Sequence, residues 1–110
     1  MIAAGDFNVS RLEERKFSIY RALLGSTWQV ATGMGCDECK GTEYYRNMWS
    51  FLDNILLKSN SSHWHFVEKD IYVAAKAPSQ IDDYGRPRRF DAEKLEGVSD
   101  HLPIVATFAN

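Results

Sequence analysis

Two cysteines occur among 110 residues, too few for the disulfide framework of a small secreted scaffold. No apolar run approaches the ~18 residues needed to span a bilayer as a helix, and no basic start followed by an apolar segment reads as a signal peptide. A cytoplasmic protein is the expectation from those two absences. A basic excess is missing too: 13 Lys and Arg against 15 Asp and Glu give a formal net charge of −2. That balance argues against indiscriminate binding to nucleic acid while leaving specific phosphate contacts open. Internal repeats, linkers and low-complexity tracts are absent. What remains, 45% hydrophobic and 25% charged residues, is the composition of one globular unit with a modest core.

Local patterns give an outline. Ile2 to Ala4 is a short apolar run ending at Gly5, as in a buried strand that opens into a site. If the next residues stay extended, Asp6 and Asn8 share one face and Phe7 takes the other. Ser10 with Glu13 three residues on predicts a capping box for a helix through about Leu24, with Leu12, Ile19, Tyr20, Leu23 and Leu24 as its apolar stripe and Gly25 as its end. A short strand is expected over Trp28 to Val30, and a long polar loop from Gly33 to Asn47.

Trp49 to Lys58 is the strongest strand pattern. Phe51, Ile55 and Leu57 lie on one face and Leu52 and Leu56 on the other, as in a central strand covered on both sides. Asp53 falls on the first of those apolar faces, where an unpaired carboxylate would cost several kcal/mol, so a charged or hydrogen-bonding partner is expected. Beyond a turn at Ser59-Asn60-Ser61-Ser62, extended segments are expected between His65 and Ala75 with Ile71 and Val73 inward, then a loop from Pro78 to Arg89 and a short helical turn from Asp91 to Leu95. Leu102 to Phe108 reads as a final strand. Strands interleaved with one clear helix make the class α/β or α+β.

Three runs carry chemistry: Gly5-Asp6-Phe7-Asn8, Phe51-Leu52-Asp53-Asn54-Ile55-Leu56-Leu57, and Ser99-Asp100-His101-Leu102-Pro103 followed by an apolar strand. Their order and context resemble the C-terminal half of the endonuclease/exonuclease/phosphatase superfamily, the DNase I-like metal-dependent phosphoesterases. The resemblance implies half of a four-layer α/β/β/α sandwich. It makes residues 1–110 the C-terminal half of such a domain, with the N-terminal half, which supplies a metal-binding Glu, absent.

The resemblance also implies roles. Asp53 would accept a hydrogen bond from the imidazole of His101, which acts at the scissile phosphate. Asp100 would bind a divalent metal, directly or through water, and Asp6 would share the metal or orient the attacking water. Asn8 would donate to phosphoryl oxygens. Magnesium suits such a site, with manganese as a substitute. The implied reaction is hydrolysis of a phosphodiester or phosphomonoester by direct attack of water, on nucleic acid, phospholipid or inositol phosphate.

Other residues leave alternatives open. Tyr44 and Tyr45 are candidates to line the substrate groove, since their loop joins the helix after Asn8 to the Asp53 strand. Arg88, within Arg86-Pro87-Arg88-Arg89, offers bidentate donors for phosphate, but Asp82, Asp83 and Asp91 nearly cancel the local charge and a solvated loop explains the cluster equally well. Cys36 and Cys39 read as reduced thiols first, then as a local disulfide, then as half of a metal site that His63 and His65 complete. A different class of function is a catalytically incomplete fragment acting as a folding or dimerisation module, since half a sandwich exposes an apolar sheet face that a second copy would cover.

Overall fold

A computed structural model describes residues 1–59 and 63–110. The fold is mixed α+β. Its organising element is β5 (Asp53–Lys58), the middle strand of a three-stranded antiparallel sheet in the order β1-β5-β2, flanked by β1 (Ile2–Asp6) and β2 (Trp28–Val30). Leu56 and Leu57 are both buried although they point to opposite faces, as the apolar run required. The register sets Asp6 directly across from Asp53, and Ile2 across from Leu57.

The expected strand from Trp49 is two strands. β3 (Glu43–Tyr45) and β4 (Met48–Ser50) form a hairpin, and the chain breaks at Phe51 and Leu52 before β5 begins. The hairpin occupies part of what was expected to be loop. Arg46 and Asn47 both take positive φ, 48° and 64°, which is the backbone of a two-residue hairpin turn. At the break, Phe51 accepts a backbone hydrogen bond from Arg11 and Leu52 accepts one from Phe7, so the groups that leave the ladder are used elsewhere.

The helix after Asn8 is likewise divided. α1 (Arg11–Phe17) has the expected capping box between Ser10 and Glu13, and α2 (Ile19–Leu24) follows after Ser18 adopts left-handed geometry, φ 49° and ψ 50°. This single residue rotates the apolar stripe out of register. Only Tyr20 is buried, edge-on to Phe7, while Leu12 and Leu23 face solvent. A third short helix, α3 (Ala31–Met34), follows β2.

In the second half, β6 (His65–Phe66) pairs with β9 (Phe108–Ala109), and β7 (Tyr72–Val73) pairs with β8 (Ile104–Val105). The final strand is interrupted at Ala106 and Thr107, where the Thr107 carbonyl accepts from Val67. Phe66 meets Phe108 with ring centroids 4.9 Å apart, and Ile71 is buried with Val73 packed beside it. Asp91 to Leu95 is a turn closed by reciprocal bonds between Asp91 and Glu96, not a helix: Leu95 has φ 53°, and the Asp91 carboxylate accepts from the N–H groups of Glu93 and Lys94. The turn expected at Asn60, Ser61 and Ser62 lies outside the described residues.

The core gathers Ala31, Cys36, Phe51, Leu57, Phe66 and Ile71. Cys36 and Cys39 are joined as a disulfide, the second of the three sequence readings. The Arg11 guanidinium lies over the Phe51 ring and donates to the carbonyls of Cys36 and Cys39, fixing α1 to the disulfide loop. No helix among the described residues is long and apolar enough to cross a membrane.

Candidate functional site

Two strand ends and one loop converge on His101. Asp6 ends β1 and Asp53 begins β5, so the antiparallel register alone sets two carboxylates side by side on one face. Like charges in that position repel. The His101 imidazole lies between them: Nδ1 is 2.7 Å from Asp53 Oδ2, and Nε2 is 4.0 Å from Asp6 Oδ2. The Asp53 contact places a proton on Nδ1 and turns Nε2 toward Asp6. The partner that an Asp on an apolar strand face demanded is therefore His101, 48 residues away.

The backbone holds these groups. Thr42 has no exposed surface; its Oγ1 accepts from the N–H groups of Leu52 and Asp53, and its carbonyl accepts from Leu102, 2.7 Å away. One residue thus ties the Asp53 strand to the His101 loop. Ser99 Oγ accepts the His101 N–H, and the Pro103 carbonyl accepts from Ala74, which anchors the other end of that loop.

Glu43, absent from the sequence reading, is the fourth member. It forms an isolated antiparallel bridge with His101, and its Oε2 is 3.4 Å from Nε2. Its signal was weak because it lay in a segment read as loop; only a hairpin beginning at Thr42 would have aimed it. The imidazole therefore has carboxylates at both nitrogens. Its partial burial opposes the charged form, but the Asp53 hydrogen bond and the charges of Asp53, Asp100 and Glu43 outweigh that and raise the His101 pKa above its ordinary 6.5. A cavity of about 290 Å³ opens beside Asp53 and His101, walled by Val98, Leu102 and Pro103 with Gln80 at its edge.

The remaining sequence candidates are distributed as follows. Asn8 adjoins the site, but in a left-handed conformation, φ 55°, with its N–H on Asp6 Oδ1 at 2.8 Å. The extended alternation expected over Asp6 to Asn8 therefore stops at Asp6; the Asx-type turn costs the shared face but orients the Asp6 carboxylate. Asp100 is half exposed and 3.7 Å from Arg89. Arg88 is paired with Glu96 at 2.9 Å, and Arg86 with Asp82 at 2.7 Å, so the arginine cluster spends its donors on its own loops. Tyr44 and Tyr45 leave β3 on opposite faces and do not line one wall: Tyr44 packs edge-on to Trp49 beneath Arg86, and Tyr45 is exposed beside Arg46.

A divalent ion of the magnesium type takes one or two protein carboxylates and completes its shell with water and phosphate oxygens. Asp6 and Asp100, with side chains 38% and 54% exposed, are oxygen donors of that kind. Among the described residues no group of three or more His, Cys, Asp or Glu is placed to hold a metal ion. What the chain offers such an ion is single carboxylate oxygens from Asp6 and Asp100. Searches of family models, curated proteins and solved structures found no match to this chain.

Proposed function

We propose that this chain carries active-site residues of a metal-dependent phosphoesterase, one that hydrolyses phosphodiesters or phosphomonoesters by direct attack of water. The observation that carries the reading is the Asp53–His101 contact at 2.7 Å, with Asp6 across the strand pair from Asp53. Three motifs distant in the sequence meet at one imidazole.

Asp53 fixes the His101 tautomer and favours its protonated form, so that Nε2 presents a proton or positive charge to the phosphoryl group or its leaving oxygen. Asp6, held by the Asn8 N–H, orients the attacking water through its second oxygen. The Asn8 side-chain amide donates to phosphoryl oxygens, whose charge grows in the transition state. Asp100 and Asp6 would hold the magnesium or manganese ion, which supplies Lewis-acid stabilisation of phosphoryl oxygens when bound. Tyr45, exposed beside Arg46, and Arg88, paired with Glu96, are the remaining candidate substrate contacts, while Tyr44 is occupied by Trp49 and Arg86. The substrate classes are nucleic acid, phospholipid and inositol phosphate, with the net charge of −2 weighing against long duplex DNA.

Hydrolysis of bis(p-nitrophenyl) phosphate and p-nitrophenyl phosphate, with and without magnesium or manganese, tests the reading. Metal-dependent turnover that His101→Ala lowers by about 10²–10⁴-fold is the expected result. Turnover indifferent to metal or to His101 would refute it.

A second reading, a folding or dimerisation module, is favoured by exposed apolar side chains on β1, α1 and α2. Ile2, Leu12, Phe17 and Leu23 are 57–78% exposed, apolar surface that a second copy would cover. A mass that rises with concentration, without turnover, would favour that reading.

A further inference from the structure

The position of Glu43 suggests which phosphate esters the site accepts. Its carboxylate is 3.4 Å from His101 Nε2, on the side where a phosphoryl oxygen would have to approach that nitrogen. The backbone that carries it is fixed: Glu43 is paired with Ser50 in the hairpin, bridged to His101, and follows the fully buried Thr42. Its side chain is 23% exposed, so water screens it only in part.

With Asp6 and Asp53, Glu43 makes three carboxylates around one imidazole. Among the described residues no Arg or Lys forms an ion pair with any of the three: Arg15, Arg86, Arg88 and Arg89 pair with Asp37, Asp82, Glu96 and Asp100. A phosphomonoester carries close to two negative charges above its second pKa of about 6, whereas a phosphodiester carries one. Bringing the second charge to within a few ångströms of a half-screened carboxylate costs roughly tenfold in affinity.

We infer that Glu43 is a specificity-determining residue that makes the His101 site select phosphodiesters over phosphomonoesters. This deepens the phosphoesterase reading and rests on it. The selection is exerted by repulsion: Glu43 adds little for the diester but penalises the extra charge of the monoester. Glu43 contributes no bond-making step.

The test is binding followed on the His101 ring signals by NMR, with magnesium present and at a pH where phenyl phosphate is a dianion and diphenyl phosphate a monoanion. The wild-type chain should favour diphenyl phosphate, and Glu43→Gln, which keeps the shape and removes the charge, should bring that ratio down about tenfold. Asp37→Asn, which removes an exposed carboxylate elsewhere, should leave the ratio unchanged. A ratio that Glu43→Gln does not move, or that Asp37→Asn moves equally, overturns the inference while leaving the phosphoesterase reading intact. If neither ligand perturbs His101 in any of the proteins, the phosphoesterase reading fails and this inference with it.

Discussion

Replacing Thr42 by Val should cost far more than its surface-loop position in the sequence suggests. The substitution keeps the shape and exchanges a hydroxyl for a methyl. In the wild-type chain Oγ1 accepts from Leu52 N–H at 3.2 Å and from Asp53 N–H at 3.3 Å, with the whole residue shielded from water. Leaving a buried donor without an acceptor costs about 1–3 kcal/mol. Because both bonds are long and share one oxygen, the lower part of that range applies to each, giving about 2 kcal/mol in total. Thr42→Ser keeps the oxygen and loses only a methyl, about 1 kcal/mol. Urea denaturation should therefore show midpoints in the order wild type, Ser, Val at an unchanged slope, and the Val variant should melt roughly 10 °C lower. The Leu52 amide should also exchange its hydrogen faster in the Val variant. A Ser variant as unstable as the Val variant would refute the argument, since the loss would then be packing rather than the hydroxyl.

Two further outcomes follow from the same junction. The His101 pKa is raised in the folded chain, so its charged form stabilises the fold fully below about pH 6.5, and that contribution disappears as pH rises through the folded value. Asp53→Asn should accordingly lower the His101 titration midpoint by NMR and destabilise the chain more near pH 6 than near pH 9; an equal or larger loss at alkaline pH would contradict it. Reducing the Cys36–Cys39 disulfide, or replacing both residues by Ser, should lower stability by about 2 kcal/mol from the small loop it closes, read as a drop in melting temperature that reductant produces in the wild type but not in the double variant.

Much of the site was legible because its chemistry is expensive to hide. Asp53 on an apolar strand face had to find a partner; that the partner is His101 came from the resemblance of the Ser99-Asp100-His101 run, not from the pattern itself. The centre of the sheet was legible for a similar reason: only a strand covered on both sides needs apolar residues at consecutive positions such as Leu56 and Leu57. What escaped were single residues in left-handed conformation. Ser18 splits a helix whose periodicity looks continuous, and Arg46-Asn47 closes a hairpin without the glycine that usually announces one. Asn8 ends an alternation that would otherwise continue. Glu43 was lost with the hairpin, because a residue's direction cannot be read until its strand is known. The cysteine pair was undecidable on spacing alone, since local thiols, disulfides and metal half-sites share it.

The Asp53–His101 contact joins residues 48 positions apart, and the pairing of Asp6 with Asp53 spans almost as many. Closing loops of that length precedes any reward from the contacts they bring, which places such pairings late in folding and makes them slow. The hairpin from Glu43 to Ser50 is local and forms on its own clock, within microseconds. The surroundings of the His101 ring depend wholly on contacts between distant parts of the chain, so its signals should report whether those contacts are made.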